Sequence, residues 1–501
     1  MPPVLICCGP QATRRLEQGL RHLEHPAAGG RPDRAHLLRE PELAVYIAAA
    51  AADRAGDSDS DSDSGISAAL GVVLALEGYV THRSERGAEL RTALIEDFLA
   101  HGERCVQRWR GSFRLLIAHR GVIRVYADHT ASRAMFSADD PFGPIYSSHA
   151  APLLAAVSPA SVDGANLVHF MRNGRFFAGA SLFPEVRQIE PGRGHRIGSP
   201  GTGRGEFAWY RYRLQPEPVA VKDVLPELKR RLDLAVLRHW RRAEAPALLL
   251  SGGYDSRYIL NTLAENVAPQ SLRGLFTCLW GEPSSDPDSD AAWAAREAQR
   301  HGLAFEFFPL QAELPALFET TFAAQSGMTA HIVTHTDDLA RCSYLRRRGY
   351  RSLLRGDECF GPNGTPVRDV AQALARVGLN SAPPELPWLA ADAPAADWRA
   401  AQEQRLRRLG QVADDPNDVR DLLYFSERLP SVHTHLNAHR SPYLENHSPL
   451  LDADVLDLVR QLPRELRTDK RIFKLCFREY FPTTGFAGSG NAFDLGRLWR
   501  Q

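Results

Sequence analysis

The chain has 501 residues, 44% hydrophobic and 24% charged, with Lys+Arg and Asp+Glu equal at 60 each. This length predicts two or more domains with buried cores, in a composition ordinary for a soluble globular protein. The zero formal net charge gives no argument for nucleic acid, no apolar run approaches a membrane span, and the seven cysteines show no zinc-ligand spacing.

An odd number of cysteines suits reduced thiols. The start, Met1-Pro2-Pro3-Val4-Leu5-Ile6, lacks a charged region and a long apolar region, so no signal peptide is expected and the cytoplasm is the expected location. Residues 1 to about 210 read as β-rich with scattered helices. Asp57 to Ser64 alternates Asp and Ser, without the Gly bend or closing Glu of a calcium loop, and is expected to be a flexible surface insertion. Gly71 to Leu76 reads as a strand. Phe113–Ala118 and Val122–Tyr126 read as a hairpin across a short Gly-containing turn, and Glu89–Leu99 as a helix.

Gln215-Pro216-Glu217-Pro218 is the expected linker, placing the domains at 1–214 and 215–501. An amphipathic helix is predicted over Val221–Arg242. The apolar run Ala247–Leu250 then ends in Ser251-Gly252-Gly253-Tyr254-Asp255-Ser256, and a helix is predicted through Arg257–Leu263. Leu272–Trp280, Ala304–Phe308 and Tyr350–Leu354 read as strands, Asp290–His301 as a helix, and the chain beyond about Pro366 as mostly helical. Alternating strands and helices predict a doubly wound parallel sheet.

The Ser-Gly-Gly segment has the order strand, glycine turn, acid, helix. Glycines let backbone N–H groups approach an anion, and the helix start adds its positive end. Ser251 and Ser256 add hydroxyls, and Asp255 can hold a divalent cation against phosphates. No Gly-Lys-Ser/Thr of a Walker loop is present. A second acidic loop, Arg355-Gly356-Asp357-Glu358-Cys359-Phe360-Gly361, follows a predicted strand. Parallel strands end on one edge, so Asp357 is expected near Asp255; taken alone, this loop reads rather as an ordinary acidic turn.

The first loop resembles the pyrophosphate loop of the ATP pyrophosphatases, SGGxDS. With Gly356–Gly361 and the segment Ser448-Pro449-Leu450-Leu451-Asp452, Leu462-Pro463 and Asp469-Lys470, the synthetase half resembles the asparagine synthetase family, which includes β-lactam synthetases, carbapenam synthetases and lasso-peptide cyclases. The N-terminal half is similar to the family's N-terminal-nucleophile (Ntn) amidotransferase domain through Gly111-Ser112-Phe113, Ala127-Asp128 and Ile189-Glu190-Pro191-Gly192. The implied fold is therefore α/β, with an Ntn-amidotransferase-like α+β sandwich followed by an ATP-pyrophosphatase-like synthetase domain.

The resemblance implies adenylation of a carboxylate by ATP with Mg²⁺, followed by attack of an amine. Ser251, Gly252, Gly253, Asp255, Ser256 and Gly356 would bind the nucleotide, Asp255 and Asp357 the metal, and Lys470 the developing charge, with Lys474 as the alternative. Three departures stand out. Residue 2 is Pro2 where glutamine-using members carry the nucleophilic Cys, and Cys7 and Cys8 read as buried strand residues. The glutamine-binding Asn-Gly-Glu turn is Glu77-Gly78-Tyr79 here. Leu354 stands where the family has Glu or Tyr, leaving Glu358, Glu427, His433, His435, His439 and His447 as candidates for the base. The expected activity is a glutamine-independent amide ligase or cyclase of natural-product biosynthesis. Its partners would be a small-molecule or peptide carboxylate and amine, with a precursor peptide or a biosynthetic protein as a further partner. An ammonia-using asparagine synthetase and a nucleotide-binding scaffold are the alternatives.

Overall fold

The computed structural model describes residues 4–8, 11–20, 35–40, 43–48, 63–139, 141–157, 161–198, 204–309, 326–330, 336–361, 366–379, 406–407 and 415–482. Among these residues no helix is long and apolar enough to cross a membrane.

The N-terminal half contains two antiparallel sheets. The first is built from β1 (Val4–Cys8), β2 (Ala35–Glu40), β3 (Leu43–Ala48), β8 (Phe136–Ala138), β9 (Ile145–Ser147) and β10 (Val186–Gln188), in the order β10-β8-β9-β1-β3-β2. The second is built from β4 (Gly65–Ala69), β5 (Val72–Val80), β6 (Gly111–His119), β7 (Val122–Ala127), β11 (Arg193–Ile197) and β12 (Arg204–Ala208), in the order β12-β11-β7-β6-β5-β4. Period-2 alternation explains how they stack. Ile6, Cys8, Leu43 and Val45 of one sheet meet Ala75, Leu116, Val125 and Ala127 of the other. Leu5 and Cys7 point the opposite way, onto the helix Ala12–Leu20 through Ala12 and Leu16. Leu74, Leu76 and Leu115 pack outward on the helix Gly87–His101 through Leu90, Leu94 and Phe98. The result is a helix–sheet–sheet–helix sandwich. The hairpin of β6 and β7 turns through Arg120 (φ 51°) and Gly121 (φ 72°), the paired positive φ of a two-residue turn matched to strand twist.

The C-terminal half holds one parallel sheet. It comprises β13 (Pro246–Leu249), β14 (Phe276–Gly281), β15 (Phe305–Pro309), β16 (Ser352–Arg355) and β17 (Glu445–His447), ordered β15-β14-β13-β16-β17. The order reverses between β13 and β16, which is where doubly wound sheets open a crevice at their strand C-termini. The helices Val221–Arg242, Tyr254–Asn266 and Arg471–Tyr480 bury Leu228, Leu232, Tyr258, Ile259, Phe473 and Phe477 in the largest apolar cluster.

Several expectations shift. The strand anticipated from Leu272 begins at Phe276, because Pro269–Leu272 forms a helical turn with Pro at its start, a position that needs no N–H. β17 was not anticipated; three residues are too short for a period-2 signal. Residues 57–62 of the Asp-Ser run lie outside the described residues. Its last two are not loose: Asp63 pairs with Arg242 at 2.5 Å, and Ser64 Oγ accepts from Gly78 N–H at 2.9 Å. The stretch expected to be a linker is docked, with Gln215 and Glu217 N–H donating to the Arg460 and Gln461 carbonyls at 2.9 Å.

Candidate active site

The loops after β13 and β16 face each other across the switch point. After Leu249, Ser251 N–H donates to Ser256 Oγ at 3.0 Å, and Gly253 N–H to Ser251 Oγ at 3.2 Å. The two serines thus fold the turn back on the helix it opens. Gly253 caps Tyr254–Asn266 with no side-chain hydrogen bond, leaving the first helical N–H groups available to an anion. A Cβ at Gly356 would lie 2.4 Å from Ser256 N and 2.8 Å from Asp255 Cβ. Only glycine lets the second loop approach this closely.

Lys470 arrives from the far end of the chain. Its Nζ lies 2.5 Å from Asp255 Oδ2 and also contacts Glu358 Oε2. Burial works against its cation, but Asp255 and Glu358 outweigh this and hold Lys470 above the usual lysine range. Burial and the Asp255 charge push Glu358 up to about 7 against the pull of Lys470. The two directions fit one picture: a single cation serves two carboxylates in a dry site, so one of them keeps its proton. Phe360 N–H donates to Glu358 Oε1 at 2.6 Å. Asp357 is buried, salt-bridged to Arg355 at 3.1 Å, and accepts from Ser448 Oγ at 2.5 Å.

The structure therefore brings together Ser251, Gly252, Gly253, Asp255, Ser256, Gly356, Glu358 and Lys470, with Asp357 next along the same loop. Asp255 Oδ1 is buried with no hydrogen-bond partner among the described residues. One open carboxylate oxygen beside a neighbouring acid fits Mg²⁺, which takes one or two carboxylates and completes its shell with phosphates and water. No cluster of three His, Cys, Asp or Glu suited to a metal occurs among the described residues, so a cage made of protein alone does not fit.

Two proposed catalytic residues lie elsewhere. Glu427, on the wide π-helical run Tyr424–His433, accepts from Ala178 N–H at 2.9 Å, tying the two halves together beside Gln188 and Ser431. Lys474 pairs with Asp469 at 2.8 Å, one helical turn beyond Lys470. Among the histidines, His433 stands 3.8 Å from Asp357. His435 is buried against Gln188, and burial lowers it to about 3. His439 faces Asp338 at 3.4 Å, and His447 is stacked on Tyr79 with ring centroids 4.4 Å apart. Leu354 is wholly buried in the apolar core.

The residues that depart from the glutaminase pattern do structural work. Burial opposes an ionised Glu77, but Arg133 and Arg114 outweigh it and hold its carboxyl below the usual range. Arg133 reaches on to the half-exposed Glu445 of β17, so an ion network, buried at Glu77, Arg114 and Arg133, fastens the N-terminal sheet to the synthetase sheet. Cys7 and Cys8 are fully buried, and burial pushes the Cys8 thiol far up. Sequence reasoning missed this network; its only trace was an acid at position 77 inside an apolar strand. The roles of Arg355 and Ser448 in holding Asp357 left no pattern at all.

The family model for asparagine synthase matches residues 227–483. No curated protein matches the chain. Among solved structures, a glutamine phosphoribosylpyrophosphate amidotransferase from B. subtilis complexed with ADP and GMP aligns at 12% identity and TM-score 0.30, over 73% of this chain and 83% of that one. A U34-tRNA thiolase, NcsA from Methanococcus maripaludis with its 4Fe-4S cluster, aligns at 14% identity and TM-score 0.24, over 56% of this chain and 71% of that one. Scores at this level carry no argument about activity.

Proposed function

Because the chain belongs to the asparagine synthase family, whose members are ATP-dependent, AMP-forming ligases, we propose that it adenylates a carboxylate and joins it to an amine without hydrolysing glutamine. The carboxylate oxygen attacks the α-phosphorus of ATP and pyrophosphate departs. The amine nitrogen then attacks the acyl carbon, AMP leaves with the bonding pair, and the nitrogen loses a proton.

The observation that carries this reading is Lys470 bridging Asp255 and Glu358 at the reversal point of the sheet. A buried lysine held above its usual range stays cationic through the whole cycle and can stabilise charge that develops on phosphate and acyl oxygens. The turn Ser251–Gly253 and the helix start present N–H and hydroxyl donors to pyrophosphate. Mg²⁺, when bound by Asp255 and Asp357, would neutralise phosphate charge. Glu358, pushed up to about 7, can take a proton near neutrality and fills the role that Leu354 cannot.

Independence from glutamine rests on the buried Cys7 and Cys8 and on Glu77 being spent on Arg114 and Arg133. In this reading residues 1–214 are a former amidotransferase domain kept as a wall for the synthetase, and the substrates are a small-molecule or peptide acid and amine of natural-product biosynthesis, as in β-lactam synthetases and lasso-peptide cyclases. The test is ATP–pyrophosphate exchange over a panel of carboxylic acids. Exchange with a specialised acid supports the reading. Asparagine formed from aspartate and ammonium would replace it with the ammonia-using synthetase, and ATP binding with no exchange on any acid would leave a scaffold.

A further inference from the structure

The two halves meet at a polar cavity whose walls include Tyr79, His129, His239, Asn446, Ser448 and Asp452. It adjoins the site above, because Ser448 holds Asp357 and His433, also on its wall, lies 3.8 Å from the same carboxylate.

The lining has a surplus of acceptors. His129 Nε2 is 2.8 Å from the Leu451 carbonyl oxygen. A carbonyl only accepts, so Nε2 carries a proton, and whenever the ring holds a single proton Nδ1 is a bare lone pair. That Nδ1 is buried with no hydrogen-bond partner among the described residues. Asp452 spends Oδ1 on capping the helix Ala453–Val459 through Asp454 N–H at 2.9 Å, whereas its Oδ2 is buried and unpartnered, as is Asn446 Oδ1. His239 Nε2 faces Asp452 Oδ2 at 4.0 Å, and burial lowers His239 to about 3, so this ring is neutral.

Positive charge nearby is already committed. Arg133 donates to Glu77, Glu445 and Ser112. Arg238 stands 4.0 Å from Asp452 Oδ1 but pairs with Asp454 at 2.6 Å. Burial and the neighbouring Asp454 push Asp452 up, so its charge is poorly met within the chain. Buried acceptors without donors are costly, and a carboxylate among them calls for a cation that carries N–H groups. A primary ammonium presents three such donors on one positive centre.

We propose that this cavity receives the amine component of the ligation as a primary ammonium group, held by Asp452, His129 and Asn446; the assignment rests on the ligase reading above. The shared chemistry is R–NH₃⁺, whether R is an organic chain or hydrogen.

The test is equilibrium binding to the full chain without ATP, using methylammonium, ammonium and tetramethylammonium. Saturable binding of methylammonium, of ammonium, or of both is expected, and the preferred ion tells an organic amine from ammonia. Tetramethylammonium, a cation with no N–H, is expected not to compete. Asp452→Asn keeps a good helix cap and removes the charge, and should weaken binding by about tenfold or more. Should that variant not fold, the His129 ring resonance in the natural chain is expected to shift on titration with the preferred ion. No saturable binding of either ion means that the cavity holds water only and overturns the proposal. Equal binding of tetramethylammonium, unchanged binding by Asp452→Asn, or an unmoved His129 signal does the same. Pyrophosphate exchange is read separately: intact ammonium binding without exchange on any acid would sink the ligase reading and leave the site standing.

Discussion

Lys470 Nζ lies 2.5 Å from Asp255 Oδ2, an ion pair that joins residues 215 apart in sequence. The backbone is strained to make it. Asp469 (φ 54°, ψ 27°) and Lys470 (φ 55°, ψ 32°) are consecutive non-glycine residues in the left-handed region. Each such residue costs on the order of 1 kcal/mol or more and persists only where its surroundings hold it. Here the helix Arg471–Tyr480, anchored by the buried Phe473 and Phe477, holds the kink that turns Lys470 inward.

Lys470→Ala is expected to lower pyrophosphate exchange by about a hundredfold or more, the usual cost of removing a preorganised charge from a transition state. Lys474→Ala, which breaks the pair with Asp469 and a cation–π contact 5.9 Å from the Tyr254 ring centroid, is expected to change exchange less than about threefold, as fits partly exposed contacts. Equal losses in the two variants would show that the cluster around Asp255 is not the reacting centre.

Glu358 predicts a pH signature in the chain free of nucleotide and metal. Its folded value of about 7 lies above the ordinary 4.5. Below 4.5 both folded and unfolded states are protonated, and above about 7 both are ionised. Between these limits the folded chain holds a proton that the unfolded chain has lost. Stability therefore falls as pH rises through this window, by on the order of 1–3 kcal/mol. Glu358→Gln should flatten this part of the melting-temperature profile and melt higher than the natural chain above pH 7. Parallel profiles for the two proteins would refute the assignment.

The sequence disclosed what depends on local pattern. The loop Ser251–Ser256, the helix Val221–Arg242 and the hairpin of β6 and β7 carry their signals in contiguous residues, so each was legible. That the loop of Asp357 would end beside the loop of Asp255 was legible too, because parallel strands must end on one edge, whereas the tight contact at Gly356 was not. What stayed hidden depends on contacts between distant residues. Glu427 read as one candidate for the base that Leu354 cannot be, but only the packed halves reveal Ala178 N–H as its partner. Glu77 read as a damaged glutamine turn, whereas Gly78 (φ 108°) lies within a strand, pressed against the Ser112 carbonyl. No spacing in the chain announces that Arg133 will stand between Glu77 and Glu445.

That arginine supports the next expectation. Arg133→Met would leave Glu445 without its cation and Glu77 with Arg114 alone, at the seam between the halves. Leaving a partly buried carboxylate without its cation costs about 1–3 kcal/mol, and urea unfolding should show a loss of that order. Adding Glu445→Gln should recover part of it, because an amide tolerates the missing cation better, whereas Glu77 must stay charged to pair with Arg114. If the double variant were less stable than Arg133→Met by the full cost of a second lesion, the two residues would not share a network.

Gly356 offers the sharpest contrast with a neighbour. A Cβ there meets backbone, Ser256 N at 2.4 Å and Asp255 C at 2.7 Å, which cannot swing aside. A Cβ at Gly253 meets only Ser251 Oγ, at 3.2 Å, the end of a side chain that can rotate. Gly356→Ala must therefore push the loop of Asp357 away from the loop of Asp255, at about 1–3 kcal/mol of overpacking. Because reacting groups lose efficiency steeply with small displacements, exchange should fall by about a hundredfold. Gly253→Ala should fold with nearly unchanged stability, and its effect should be confined to weaker ATP binding where the turn approaches phosphate. If Gly356→Ala left both stability and exchange untouched, the close contact of the two loops, and with it the meeting of Asp255, Asp357 and Lys470 around one nucleotide, would be wrong.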